Sequence, residues 1–136
     1  MIPNALTIAG IDPSGGAGIY ADLKSFSALG AYGTGVVAAL TAQNTREVTG
    51  VQGVPPAFVR LQLDTLFADV RIDTAKIGML AAAVASLLPQ RSDPVQAVRD
   101  AKAWLTEAIR RSGDLSVGQG HGPVHHFHAL WTSGGR

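Results

Sequence analysis

The chain contains no cysteine. Disulfides, thiolate metal sites and cysteine nucleophiles are therefore excluded. Charge is also scarce: charged residues make up 15% of the 136 residues and the net charge is +1. Nothing in that balance recruits nucleic acid or an anionic membrane. The basic side chains are scattered, Arg110 and Arg111 being the adjacent pair. No run approaches the ~18 apolar residues of a membrane span. The N-terminus lacks a basic start followed by an apolar stretch, so no signal peptide is read there and the expected location is cytoplasmic. Internal repeats and low-complexity tracts are absent too. What remains is 46% apolar residues, the composition of a globular domain large enough to bury a core.

Apolar patterning predicts alternating strands and helices. Residues 5–9 (ALTIA) read as a buried strand. Residues 18–29 read as a helix, with Ile19, Leu23, Phe26 and Leu29 on one face and Gly30 as its stop. The continuous apolar run at 35–42 suits a strand covered on both faces. Pro55 and Pro56 can start a helix that runs to about Ala68. Thr74 to Leu80 reads as a third buried strand. Pro94 opens a further helix capped by Asp93, with Val98, Ala101, Leu105, Ala108 and Ile109 sharing a face and Gly113 just beyond its end. Such alternation predicts an α/β fold with a mostly parallel sheet. One junction is abrupt. In KIGMLAAAVASLLPQ the strand pattern passes straight into the helix-like run Ala81–Leu88, although such connections usually take ~2–6 residues. Either an element is shorter than its pattern suggests, or sequence has been lost there.

The stretch AGIDPSGGAGIYADLKSF, residues 9–26, has the layout of a phosphate loop. A nucleotide P-loop needs a lysine for the phosphates and a hydroxyl for magnesium after its last glycine. Gly10 and Gly15 have the right separation, but Gly16 and Ala17 hold those two places. A dinucleotide fingerprint, G-x-G-x-x-[GA], fits Gly16 to Ala21. Against it, Asp12-Pro13-Ser14-Gly15 separates strand from motif, and the next strand ends Thr41-Ala42-Gln43-Asn44 with no acid for a ribose. The plain alternative is a strand-to-helix turn with Asp12-Pro13 as its turn chemistry. Asp22 stands apart: at ~100° per residue it projects between Phe26 and Leu29 in the apolar stripe. A buried carboxylate is costly unless paired or used, so it serves either the fold or a substrate.

Three ordered blocks, LTIAGIDPSGGAGIYADLKSFSALGAYG, VVAALTAQNT and DTAKIGML, resemble the N-terminal half of the hydroxymethylpyrimidine/phosphomethylpyrimidine kinases. These are thiamine-biosynthesis enzymes with a ribokinase-like parallel sheet and flanking helices. AVRDAKAWLTEAIRRSGDLSVGQGHGPVHHFHALW resembles that family's C-terminal end. The resemblance implies one ribokinase-like domain over residues 1–131, with 1–80 matching the N-terminal half, 81–131 the C-terminal end and 132–136 a tail. It implies a transferase that moves a phosphoryl group from ATP, with Mg2+, to 4-amino-5-hydroxymethyl-2-methylpyrimidine and its monophosphate by in-line attack. It implies a small-molecule pyrimidine partner, no nucleic acid or membrane, and a homodimer. Gly10 would offer backbone contacts, Ala17 and Asp22 would sit beside the ligand, and Gln43 would bond the aminopyrimidine edge with its donor and acceptor. Met79 would pack on the ring face. On the residues alone, Gln43 reads rather as a turn-capping amide and Met79 as core at a strand end; the resemblance reverses that preference.

The chain departs from that family in its middle. Further strand–helix units and a Gly-Thr-Gly-Cys motif, whose amides form the anion hole, are missing after KIGML. The gap coincides with the abrupt junction. No catalytic residue can be assigned, and little or no kinase activity is expected of the chain alone, because phosphoryl transfer depends on such donors. A pyrimidine-binding remnant, a gene fragment, a pyridoxal-type kinase and an NAD-dependent oxidoreductase are the alternatives. A shortened sheet also predicts open strand edges and association. All four histidines, His121, His125, His126 and His128, fall in one run. If 124–131 is helical, His125 and His128 share a face, but no third ligand is at hand, so the expectation is a structural tail and no metal.

Overall fold

The computed structural model describes residues 1–76, 79–115, 117, 119 and 123–131, and of residues 79–82 the backbone alone. The first apolar run forms β1, Asn4–Ile11. The amphipathic stretch after it forms α1, Gly18–Ala28, and the second run forms β2, Tyr32–Gln43. Gly30 ends the helix with φ +75, a conformation that costs a side chain-bearing residue and costs glycine nothing. A strand the patterning did not predict, β3 (Val48–Gly53), folds back antiparallel on the end of β2. The turn between them is built on Asn44, whose Oδ1 accepts from the Arg46 and Glu47 amides. Helix α2, Pro56–Phe67, starts at the proline pair as expected. It leads to β4, Thr74–Lys76. The sheet order is β3-β2-β1-β4, with β2, β1 and β4 parallel.

The abrupt junction resolves in part. Of the expected strand Thr74–Leu80, β4 covers Thr74–Lys76 and residues 77 and 78 lie outside the described residues, while α3 (Met79–Leu87) starts two residues before the expected Ala81. Helix α4, Pro94–Arg110, is capped by Asp93, whose side chain accepts from the Val95 amide at 2.9 Å. Its buried stripe is Ala97, Ala101 and Ala108 with Trp104 half-buried, while Val98 and Ile109, expected on that face, are exposed. Small residues prevail there because α3 lies close, and Ala83 and Leu87 pack against Ala97 and Ala101. The predicted helix over 124–131 is instead a run of turns through His126–Leu130. No helix among the described residues is long and apolar enough to cross a membrane.

Among the described residues, two clusters of buried apolar side chains pack the helices. In one, Phe26 and half-buried Leu23 of α1 pack on Ala5 and Ala31. In the other, α3 and α4 pack together and reach Leu29 at the end of α1. The two meet because α1 lies on β1 and β2 and also touches α3. Helix α2 sits differently. It touches the sheet at β2 and has no buried residue. Its Gln62 amide clamps the edge of β2, accepting from the Val37 amide and donating to the Val37 carbonyl.

Candidate functional site

The glycine loop between β1 and α1 already carries an anion, and it is internal. Asp12 is 4% exposed. Its Oδ1 accepts from the Ser14 amide at 2.8 Å and the Ser14 hydroxyl at 2.7 Å. Its Oδ2 accepts from the amides of Gly16 and Ala17 at 3.1 and 2.9 Å. These are the amides at the positive end of α1, where a phosphate would otherwise bind. Charge-assisted bonds of this kind contribute on the order of 1.5–3 kcal/mol each. The loop then turns at Gly18, where φ is +58 and an added Cβ would collide with the Gly10 carbonyl oxygen. Lys24 closes the other side by donating to the Gly15 carbonyl at 2.8 Å. Asp12 is a residue that sequence reading took for turn chemistry alone. Its signal was present, since an aspartate two residues before a serine at a strand end favours an Asx turn.

A cavity of about 220 Å³ opens against this loop. Asp12, Ser14, Gly16 and Ala17 form one wall, Gln43, Asn44 and Thr45 at the end of β2 a second, and Pro123 and Val124 a third. Two of the expected binding residues, Ala17 and Gln43, thus share a cavity. The Thr41 hydroxyl lies 2.8 Å from the Ile11 carbonyl and 3.2 Å from Gln43 Oε1. A hydroxyl has one proton to donate, so it serves these acceptors in alternation. Gln43 Nε2 has no partner among the described residues. The side chain is therefore tethered lightly and keeps hydrogen-bonding capacity for a ligand.

Gly10 and Asp22 do not line this cavity. Gly10 lies in β1, just past a register shift opposite β2, with its carbonyl turned to Gly18. Asp22 lies in the interior, as its place in the apolar stripe predicted, and is 3% exposed. Its Oδ2 accepts from Thr7 Oγ1 at 2.6 Å and pairs with Lys76 Nζ. Lys76 was not anticipated, although a lysine inside an otherwise uncharged strand pattern is the natural counter-charge for a buried aspartate. The expectation for Met79 concerns a side chain outside the described residues, as does that for His121.

The remaining histidines pack against α4. His125 donates its amide to the Ala108 carbonyl, and Arg111 donates to the His128 carbonyl. His128 Nδ1 lies 3.0 Å from the His125 carbonyl, which makes that nitrogen the donor. The Trp104 ring lies 6.0 Å from that of His126 and 5.8 Å from that of His128. Burial, with the nearby Lys24 charge second, pushes the His126 imidazole down to about 4. Among the described residues no three His, Asp or Glu side chains converge to hold a metal ion.

With this geometry in view, comparison with known proteins is informative. The family model described as phosphomethylpyrimidine kinase matches residues 12–83 and 80–125. The two matched segments meet at 80–83, inside α3. The hydroxymethylpyrimidine/phosphomethylpyrimidine kinase of Escherichia coli strain K12 is 72% identical over 78 residues, covering 57% of this chain and 29% of that protein. The chain thus spans under a third of that relative's length. The crystal structure of phosphomethylpyrimidine kinase from Clostridium difficile 630 is 42% identical with a TM-score of 0.54, covering 64% of this chain and 40% of the other. Pyridoxal kinase from Staphylococcus aureus, solved with AMP-PCP and pyridoxal, aligns at a TM-score of 0.77 over 96% of each chain. Its 16% identity bears on the fold alone.

Proposed function

The chain belongs to the phosphomethylpyrimidine kinase family, and from that premise we propose that it binds 4-amino-5-hydroxymethyl-2-methylpyrimidine in the cavity between the glycine loop and the end of β2. The observation that carries this reading is the pairing of Ala17 and Gln43 on one cavity, beside a loop whose amides are spent on Asp12. In a loop so filled the Ser14, Gly16 and Ala17 amides already serve a carboxylate, which disfavours a nucleotide phosphate or the pyrophosphate of NAD at those donors. A neutral ring bearing an amine beside a ring nitrogen suits the Gln43 amide, which offers one donor and one acceptor. Gly10, Asp22 and Met79 belong to the same reading as neighbours of the ring, carried by the family resemblance.

The family chemistry is phosphoryl transfer from ATP to this pyrimidine and its monophosphate in thiamine biosynthesis, in the cytoplasm. Transfer needs donors that neutralise charge on the moving group. The family motif whose amides supply them, Gly-Thr-Gly-Cys, is absent from the sequence, and the cavity between the glycine loop and β2 is lined, among the described residues, by no lysine or arginine. The proposed cause is loss of the family's middle between the two matched segments, which leaves one domain made of an N-terminal half and a C-terminal end. The product is a pyrimidine-binding chain with little transferase activity of its own. The fold-level likeness to pyridoxal kinase gives no reason to prefer pyridoxal.

A thermal melt with and without the hydroxymethylpyrimidine tests this. A ligand at a hundredfold excess over Kd stabilises by about 2.7 kcal/mol, a rise of about 5 °C or more. Gln43→Ala should melt like the parent and lose the ligand response. A parent chain that does not respond, or a Gln43→Ala variant that responds equally, refutes the binding reading. Turnover with magnesium-ATP at a rate matching full-length relatives refutes the loss of activity.

A further inference from the structure

Thr7, Asp22 and Lys76 come from β1, α1 and β4 and meet in the interior. Thr7 is 0% exposed, and the side chains of Lys76 and Asp22 are 3% and 4% exposed. One oxygen, Asp22 Oδ2, receives both the Thr7 hydroxyl and the Lys76 ammonium. The parallel register sets Lys76 opposite Thr7. One carboxylate oxygen therefore ties β1 and α1, the elements on either side of the glycine loop, to β4.

Stability alone is a weak reason for such a pair. Apolar residues of similar volume commonly do as well or better, because two charges must be stripped of water. Orientation is the better reason. Among the described residues β4 pairs with β1 alone, over Thr74, Ala75 and Lys76, so Lys76 is where the Asp22 pair can add to the sheet's hold. The carboxylate, for its part, would have a single neutral donor left if the ammonium were removed.

We propose that Lys76 is a positioning residue of the pyrimidine site: through Asp22 and Thr7 it fixes α1 against β1, and with them the loop between, whose Asp12, Gly16 and Ala17 wall the cavity. This rests on the reading of that cavity as the pyrimidine site. The test is calorimetric titration of the full chain with 4-amino-5-hydroxymethyl-2-methylpyrimidine, at a temperature where circular dichroism shows each variant folded. Lys76→Met should bind more weakly by on the order of tenfold or more, since small misplacements of contacting groups are costly. Lys76→Arg should recover part of that loss by returning a cation to Asp22. A purely structural lysine would lower the melting temperature and leave the affinity of the folded variant unchanged, which would overturn the proposal. If Lys76→Met does not fold, Thr7→Val carries the test: it removes only the hydroxyl, a several-fold loss is expected, and parental affinity overturns the proposal. Absence of binding by the parent chain overturns the pyrimidine reading and takes this inference with it, whereas parental binding preserved in Lys76→Met overturns this inference alone.

Discussion

Helix α1 buries five of its residues, and helix α2 buries none. Both are amphipathic stretches of similar length beside the same strand, β2. The difference lies in what covers them. Helix α1 rests on β1 and β2 and meets α3 on its flank, so Phe26 is 0% exposed. Helix α2 meets the sheet at β2, and its Phe58 is 54% exposed. Apolar spacing thus shows that a segment can be a helix and which face wants cover. Whether cover exists depends on elements elsewhere in the chain. The region around the glycine loop has its cover. The region around α2 does not, which fits the proposed loss of the family's middle.

Cutting into the covered region should have the largest effect. Phe26→Ala removes a fully buried ring from the core formed with Ala5 and Ala31. The expected loss is about 3–5 kcal/mol, enough to unfold a marginal domain. Urea denaturation followed by circular dichroism measures it. A loss under about 1 kcal/mol would mean that the site collapses freely and is no better packed than α2.

How much of this contrast was legible beforehand differs by element. The strand at Asn4–Ile11, the helix at Gly18–Ala28 and the Asp93 cap follow from local patterning and capping chemistry, and the structure holds all three. Asp22 was legible as buried, because its place in the apolar stripe is a matter of helix geometry. Its partner was not, because Lys76 lies 54 residues away, and only the parallel register of β4 on β1 brings the two together. Strand β3 escaped notice because Val48–Gly53 lies at an edge and alternates weakly. On α4 the expected face holds at Ala101 and Ala108 and fails at Val98 and Ile109, because the stripe turns on alanines such as Ala97, which are weak markers in a hydrophobic pattern. The junction at residues 76–79 was legible as an anomaly, and the two segments matched by the family model meet just beyond it.

The C-terminal segment offers an intermediate effect and shows to which region it belongs. His126 is buried beside Trp104, with Lys24 of α1 nearby. Its folded value of about 4 lies below the ordinary 6.5, so the folded state favours the neutral ring. The stability it contributes is complete above the ordinary value and is lost as pH falls toward the folded one. At pH 5 the loss is about 2 kcal/mol by linkage. Thermal melts at pH 7 and pH 5 should therefore differ more for the parent than for His126→Phe. Equal drops would mean that the segment opens before the global transition and has no share in the covered region.

The smallest effect is expected at Phe58, and the contrast with Phe26 depends on it. Phe58 lines an apolar groove of about 440 Å³ with Val36, Leu61 and Leu66. A half-exposed ring has already forgone much of its transfer free energy, and the groove has room to adjust around a truncation. Phe58→Ala should then cost about 0.5 kcal/mol or less in dilute solution. The same substitution made with Leu61→Ser should reduce any association seen as concentration rises, because these side chains are 54% and 55% exposed on one helix. Sedimentation velocity across a concentration series reads that second effect. A loss at Phe58 as large as that at Phe26, at concentrations where the chain is monomeric, would mean that α2 is covered in solution by part of this same chain. The unevenness would then belong to one arrangement of α2 and not to the fold.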